Sequence, residues 1–578
     1  MPDALGADGG SAPRGLGVLR AAPPFAGRAA AVRWAPTSRG DARGARRAPA
    51  GGGTVRVLLV NPSYPFEEFP RLLVTLPYVA SALRAEGHEV EILDLLLSRT
   101  TPEKIARRMA QVRPQVVGIT SVTLNHHIAE DIARAVRAVD PDVPIVMGGP
   151  HVSFEIEGSF AALGDALDYI AIGEGEHTMV ELVRALGGRG DARDVRGLAA
   201  RDRATGKIAR NAPRALEDDL DTLPEPARDL VPLSRYLAFD SHASVVTSRG
   251  CPYECIFCSA PAWTGRRVRY RDPSLCVDEI ERLAALGFTE ITIEDDLFTL
   301  YRKHFLAVCG ELIRRKTGIR WNAFSRVDTI TPEIVATMAE AGCQAICFGV
   351  ESGNQEVLDL VKKSSNLKKV RDAMRMTQAA GISALASFII GLPGETVETL
   401  RKTVEFANSL RDEFGSLYGF HILAPFPGTE VRDRAADYGL EILTSDWRTY
   451  DANHVVSRTP GADPAAIQAV ADEYEDAIER YRAFQDRLYA EGRLSGYEEK
   501  MYVRRRRQAL LWKLLLEEVV EELPALPDDG ADVLASHVAT ATGVDLRLAR
   551  DEMRRVLDLG ALVSERAPDG VRWRWAES

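Results

Sequence analysis

Three thiols crowd into eight positions at Cys251-Pro252-Tyr253-Glu254-Cys255-Ile256-Phe257-Cys258, in a chain of 578 residues that holds seven cysteines in all. So few cysteines cannot staple a chain of this length, and clustering of this kind serves metal or redox chemistry rather than disulfides. A C-x3-C-x2-C run offers three thiolates. These can bind three irons of a [4Fe–4S] cubane and leave the fourth iron without a protein ligand, as a substrate-activating cluster requires. A structural zinc ion wants four closed ligands, so His242 or His304 would have to be recruited, and neither has conventional spacing. The other cysteines, Cys276, Cys309, Cys343 and Cys347, read as small core residues.

The elements that must position this loop follow from the hydrophobic pattern. Val55–Val60 (VRVLLV), Val90–Leu95, Val116–Ser121, Pro144–Met147 and Tyr169–Ile172 read as buried strands. Between and after them, Leu76–Arg84, Pro102–Val112, His127–Val139 and Thr178–Leu186 have helical spacing. Alternating β and α with near-continuous apolar strands implies a doubly wound parallel sheet, Rossmann-like, over 55–186. A second β/α series, 241–435, has strands at Ser244–Thr247, Glu290–Glu294, Arg320–Ser325, Ala345–Val350, Ala384–Ile390 and Tyr418–Leu423. Six βα units fit a partial barrel whose chemistry belongs at the carboxyl strand ends, and the cysteine run follows its first strand. Residues 187–240 read as a linker with a small surface hairpin at 197–210, and 436–520 as a helical region. Residues 521–578 read as a winged-helix-like unit of helices near Ala531–Ala541 and Leu546–Leu559 and two short strands. Residues 1–54, rich in Ala, Gly, Pro and Arg, lack periodicity and read as a disordered tail.

Composition narrows the classes. A hydrophobic fraction of 46% and a net charge of −11 describe a globular protein with no general basic face for nucleic acid. No apolar run approaches the roughly 20 residues that span a bilayer, so the sequence predicts no transmembrane segment and a cytoplasmic protein. Arg504–Arg507 read as a solvated face or a partner contact. Trp263, Arg266, Arg267, Arg269 and Arg271 read as a solvated basic loop or a contact to an anionic substrate or corrin.

The cysteine loop resembles that of the radical SAM superfamily, and the likeness covers the whole 241–435 region. The resemblance implies that Phe257 packs near the adenine and that Glu294, Asp295 and Asp296 receive the methionine amino group. It places Arg326, with Asp328, where a carboxylate or substrate would be met. It also sets Glu351 and Ser352 beside the ribose hydroxyls and Gly391 of GLPGE against the adenine. Read singly, each is also a plausible turn or N-cap, and Asp295–Asp296 a conceivable divalent metal site. The upstream sheet resembles the cobalamin-binding domain found ahead of such barrels. The matching positions are Thr120, Ser121 and Thr123, Gly148, Gly149 and His151, and Gly173, Glu174 and Gly175, all at strand ends. Many such domains carry a D-x-H-x-x-G loop after the first strand; Asn61-Pro62-Ser63-Tyr64-Pro65 stands there instead, which implies cobalamin without a protein histidine on cobalt.

What the resemblance implies is a cobalamin-dependent radical SAM methyltransferase. Reductive cleavage of S-adenosylmethionine gives a 5′-deoxyadenosyl radical, and methylcobalamin methylates an unactivated carbon of a small-molecule, lipid or peptide substrate. An external donor of flavodoxin or ferredoxin type supplies the electron. The alternative keeps both cofactors and ends in cyclisation, oxidation or rearrangement, as in anaerobic magnesium-protoporphyrin ester cyclases. A cobalamin-sensing regulator is the reading from another class, and an open-site cluster argues against it.

Overall fold

A computed structural model describes residues 53–65 and 70–576, the side chain of Tyr497 excepted. The segment expected as a disordered tail lies outside the described residues apart from its last two positions. Strand β1 (Arg56–Asn61) is apolar on both faces. Val57 and Leu59 share a core with Leu76, Leu83 and Leu182, while Leu58 and Val60 share another with Ile105, Met109 and Ile132. A strand buried on both sides belongs in a helix-covered parallel sheet. Each such fully buried side chain contributes about 1.5–3 kcal/mol relative to exposure.

The next strand, β2 (Arg71–Leu72), does not join that sheet. Instead β3 (Glu89–Asp94), β4 (Val116–Thr120), β5 (Ile145–Gly148) and β6 (Tyr169–Ala171) build it in the order β3-β1-β4-β5-β6, all parallel. The hairpin expected within 197–210 is β7 (Leu198–Arg201) with β8 (Ile208–Arg210). It is not a free surface feature, because β7 pairs antiparallel with β6 and extends the sheet. Two helices between β5 and β6, Pro150–Phe154 and Ile156–Leu163, escape the sequence pattern. They cover one face through Val152, Ile156 and Phe160.

The second sheet holds β9 (His242–Val245), β12 (Glu290–Ile293), β13 (Arg320–Ser325), β14 (Cys343–Glu351), β15 (Ser383–Ile390) and β16 (Leu417–Ile422). Between β9 and β12 a small hairpin, β10 (Ser248–Arg249) with β11 (Arg269–Tyr270), frames the cysteine loop. The order is β16-β15-β14-β13-β12-β9-β2, parallel throughout, a partial barrel. Its seventh strand is therefore β2, contributed by the segment between β1 and the first helix of the N-terminal unit, with Arg71 opposite His242. Two residues cannot display a period, so the sequence shows six strands.

The C-terminal part comprises helices Pro464–Ala490 and Gly496–Leu516, then Ala531–Thr542, Leu546–Asp558 and the antiparallel pair β19 (Leu562–Ala567) and β20 (Gly570–Trp575), preceded by the two-residue strands β17 (Glu441–Ile442) and β18 (Ser457–Arg458). The arginines of 504–507, expected on a solvated or partner-facing surface, are half-buried, and three of them pair within the chain. Arg504 pairs with Asp240, Arg505 with Asp486 and Arg507 with Glu552. Ser234 donates to Ala576 O, and one apolar cluster runs from the first helix through the barrel to Leu514, Val556 and Trp573, so the tail is packed on the barrel.

Candidate functional site

The cysteine loop is held at both ends. Gly250 has φ +118°, and a Cβ there would lie 2.7 Å from Arg267 O, so only glycine lets the chain turn into the loop. Its N–H donates to Asp296 Oδ2 at 2.9 Å, and Thr264 Oγ1 donates to the same oxygen at 2.7 Å. Cys251 N–H donates to Gly265 O and Cys258 N–H to Cys255 O. In the middle, Ile256 is fully buried among Val357, Val361, Leu392 and Val431, and its backbone bonds Val361 O and Val431 N–H. Ile256, the first of the two apolar residues between the second and third cysteines, is thus the anchor that lays the loop over the strand ends. The three thiols are free. Burial raises Cys251 and Cys255 and takes Cys258 up to about 11, so ligation must displace protons. Among the described residues no three His, Cys, Asp or Glu side chains converge as a single ion would require. A cubane spreads its thiolates over three iron corners and asks for no such convergence.

Of the residues assigned to the nucleoside side, Glu294 and Asp296 line the main cavity. Glu294 accepts from Arg71 at 2.6 Å and Ser244 at 3.2 Å. Asp295 does not face it. The residue is 2% exposed and its two oxygens accept from the N–H and hydroxyl groups of Thr247 and Ser248, so it braces the turn out of β9. Burial lifts it to about 6 against those four donors. Ser352 is likewise internal: it shares a bond with Thr403 Oγ1 and accepts from Asn354 N–H. Gly391 has φ +85°, and a Cβ there would stand in ordinary contact with Ile467 of helix Pro464–Ala490, 3.4 Å away. Arg326 is turned to the cysteine loop rather than outward. Glu351, at φ +70°, pairs with Lys363 at 2.6 Å, and Lys363 Nζ lies 6.0 Å from the Phe257 ring centroid. Gly349 leaves the space for this pair, since a Cβ would stand 2.4 Å from Glu351 Oε1.

The cavity itself, about 390 Å³, lies between the two sheets. One wall is the strand ends of the N-terminal unit, including Thr120, Gly148, Gly149, Gly173, Glu174 and Gly175. The other is Ser248, Arg249, Trp263, Thr264, Glu294 and Asp296 of the barrel unit. A Cβ on Gly173 would meet nothing within 4 Å, and one on Gly148 nothing nearer than 3.8 Å, so open space lies over both glycines. This glycine-floored, mostly apolar cradle suits a flat macrocycle. Ser121, Thr123 and His151 do not line it. His151, 1% exposed, shares a bond with Thr123 Oγ1 and stacks on His126 at 3.8 Å, while His126 bonds Ser121. Burial, with a smaller contribution from the Arg432 guanidinium, lowers His151 to about 2, a neutral ring. Gly149, at φ +102°, lets this knot close, because a Cβ would lie 2.4 Å from Ser121 O. No histidine lines the cavity among the described residues.

Glu174 has a second duty that sequence could not show. It accepts from Arg249 at 3.1 Å and from both Nη atoms of Arg269 at 3.0 and 2.8 Å, while Glu176 accepts from Arg249 at 2.8 Å. Burial pushes Glu174 up, but the Arg269 hydrogen bond and both guanidinium charges prevail and hold it below the usual range. Arg249 stands two residues ahead of Cys251 and also covers the Tyr78 ring at 5.3 Å. A clamp of four charges therefore ties the N-terminal unit to the cysteine loop. Within the expected basic loop, buried Arg269 and half-buried Arg271 are paired with Glu174 and Glu279, while Arg266 and Arg267 are solvated. Sequence reasoning missed Arg71, Arg249 and Lys363. Adjacency to Gly250-Cys251 was a signal for Arg249; nothing local distinguishes the other two.

Residues 245–407 match the radical SAM superfamily and residues 74–183 the B12 binding domain. An uncharacterized methyltransferase of Pyrococcus horikoshii is 35% identical over 377 residues, 65% of this chain and 80% of that protein. The anaerobic magnesium-protoporphyrin IX monomethyl ester cyclase of Rubrivivax gelatinosus is 30% identical, over 66% of this chain and 70% of that protein. Among solved structures, the radical S-adenosylmethionine methyltransferase TsrM of Kitasatospora setae, with cobalamin and a [4Fe–4S] cluster bound, superposes with a TM-score of 0.60 at 21% identity. It covers 88% of this chain and 100% of that one, a likeness of fold.

Proposed function

The chain belongs to the cobalamin-binding branch of the radical SAM superfamily, and we propose that it is a cobalamin-dependent methyltransferase consuming S-adenosylmethionine. One observation carries this reading: a single cavity has the glycine-floored strand ends of the B12-type unit on one side and the hairpin that bears the cysteine loop on the other. Cys251, Cys255 and Cys258 would hold the cluster. Thr120, Gly148, Gly149 and Gly173 would receive the corrinoid, and Glu294, Asp296 and Glu351 the nucleoside side. When bound, the cluster supplies the electron that cleaves S-adenosylmethionine and the corrinoid supplies the methyl group.

The protein's own part is binding, orientation and exclusion of water. Leu59, Val74, Val79, Val146 and Met179 make the cavity wall apolar, which keeps water from a reactive substrate radical. The Glu174/Glu176 clamp on Arg249 and Arg269 fixes the separation of the two cofactor sites. The substrate is a small molecule, and an external one-electron donor of flavodoxin or ferredoxin type serves the cluster. Among the described residues no helix is long and apolar enough to cross a membrane.

The test is anaerobic purification with iron, sulfide and corrinoid analysis, followed by strong reduction with S-adenosylmethionine labelled in its methyl group. Release of 5′-deoxyadenosine and label in a product support the proposal. A second reading, favoured by the cyclase relative, keeps both cofactors without methyl transfer. Turnover whose label stays in S-adenosylmethionine, in the methionine released with 5′-deoxyadenosine and in the corrinoid, with none in the product, would select it.

A further inference from the structure

We infer that Arg326 is a positioning residue of the iron–sulfur cluster, a guanidinium that bonds the Cys255 sulfur and raises the cluster's reduction potential, rather than a contact to nucleotide or substrate. The inference rests on the proposed function in one respect: that Cys255 ligates the cluster.

A guanidinium has five N–H donors in one plane. In Arg326, Nε donates to Asp328 Oδ1 at 2.9 Å and Nη2 to Asp328 Oδ2 at 3.1 Å, a bidentate fork. Nη2 also donates to Lys363 O, and Nη1 points to Cys255 Sγ at 3.6 Å. One N–H of Nη1 is left, too few for the bidentate grip that makes arginine a carboxylate receptor. One flat face is closed as well, since the Tyr253 ring of the cysteine loop lies 3.6 Å from Arg326 Cζ, and Tyr253 hydroxyl reaches Asp328 at 3.4 Å. The residue is 6% exposed. Its position at the end of β13 therefore presents one N–H and one positive charge to a thiolate and holds both fixed from three sides.

The consequence is electrostatic. Reduction adds one negative charge to the cluster, and a donor or cation beside a ligating sulfur stabilises the more negative state. Because Asp328 and the Lys363 carbonyl orient the fork, the donor needs no reorganisation when the electron arrives. Removing it makes the cluster harder to reduce.

The experiment uses the full chain with its cluster reconstituted anaerobically, as wild type, Arg326→Gln and Arg326→Lys. The readout is the ratio of reduced to oxidised cluster by EPR at a series of fixed potentials. The expected result is about a tenfold lower ratio at equal poise for Arg326→Gln, equivalent to about 59 mV for a one-electron couple. Arg326→Lys, which restores charge without the fork, recovers part of that change. Equal ratios in all three overturn the inference. Should neither variant assemble a cluster, the reduced wild type grown with 15N-guanidino arginine decides: a 15N hyperfine coupling to the cluster supports the contact and its absence overturns it. A wild type that binds no iron–sulfur cluster fails earlier and sinks the functional reading itself, so the two failures are distinguishable.

Discussion

Replacing Glu174 by Gln should loosen the cysteine loop through a partner left behind. Arg249 would keep Glu176 at 2.8 Å, but Arg269 would lose its charged partner and keep only neutral acceptors, the carbonyls of Glu217 and Thr264 and one amide oxygen of Gln. Its side chain is 2% exposed, so the stranded guanidinium has no water to turn to. Breaking a buried pair from one side costs about 3–5 kcal/mol. Gln retains an acceptor oxygen, which places the substitution near the low end, about 3 kcal/mol or roughly a hundredfold in a local opening equilibrium. The measurement is native-state amide exchange at Cys251 and Arg271, whose N–H groups bond Gly265 O and Thr247 O inside the hairpin. Protection there should fall by about a hundredfold. Adding Arg269→Met removes the stranded charge, so the double variant should regain all but about tenfold of it, the non-additivity expected of contacting residues. A double variant whose losses simply add would refute the reasoning.

Gly149→Ala should lower the melting temperature and abolish corrinoid absorbance, because φ +102° is strained for alanine and its Cβ would meet Ser121 O; strain of this kind costs about 1–3 kcal/mol. Glu395 is buried and lifted to about 8, chiefly by desolvation against the Gly391 and Leu392 N–H groups. A raised folded value means its stability is present below the unfolded value of 4.5 and is lost as pH climbs through 8. Relative to Glu395→Gln, the wild type should therefore lose stability between those limits, by about 5 kcal/mol at most, seen in paired denaturant titrations. If corrinoid binds where proposed, the Co(II) EPR spectrum should show no superhyperfine splitting from a histidine nitrogen; such splitting would place His126, His127 or His151 on cobalt.

The elements were legible wherever burial leaves a period. Val57–Val60 and the outward faces of β14 and β15 announce parallel strands because helices cover them. Cys251, Cys255 and Cys258 were legible because their spacing is itself the chemistry. The site's partners were not. Asp295 and Asp296 are adjacent acids at one strand end, yet one braces Thr247 and Ser248 while the other faces the cavity. The path of the turn beyond β12 decides between them, and no residue type reports it. Arg326 occupied a suitable place to meet a carboxylate, and what it meets is a carboxylate two residues on and a sulfur 71 residues back. Lys363 sits in a loop without pattern, and β2 is too short to have one.

The misses of β2, Arg71 and Arg249 share a cause, which is that the two units do not merely abut. The N-terminal unit gives the barrel its edge strand and Arg71, which bonds Glu294; the barrel gives the N-terminal unit Arg249 and Arg269, which hold Glu174. Each unit thus supplies a charge that completes the other's wall of the cavity. A sequence read segment by segment assigns every residue to the unit that carries it, so crossed contributions fall outside its reach. The same crossing has a mechanical consequence. Shear between the units would strain β2 against β9 and the charge clamp together, and two separate attachments resist hinging of one unit about the other. A methyl group handed between two cofactor sites requires that fixed separation, so the crossed strand and the clamp are what the chemistry needs from the fold.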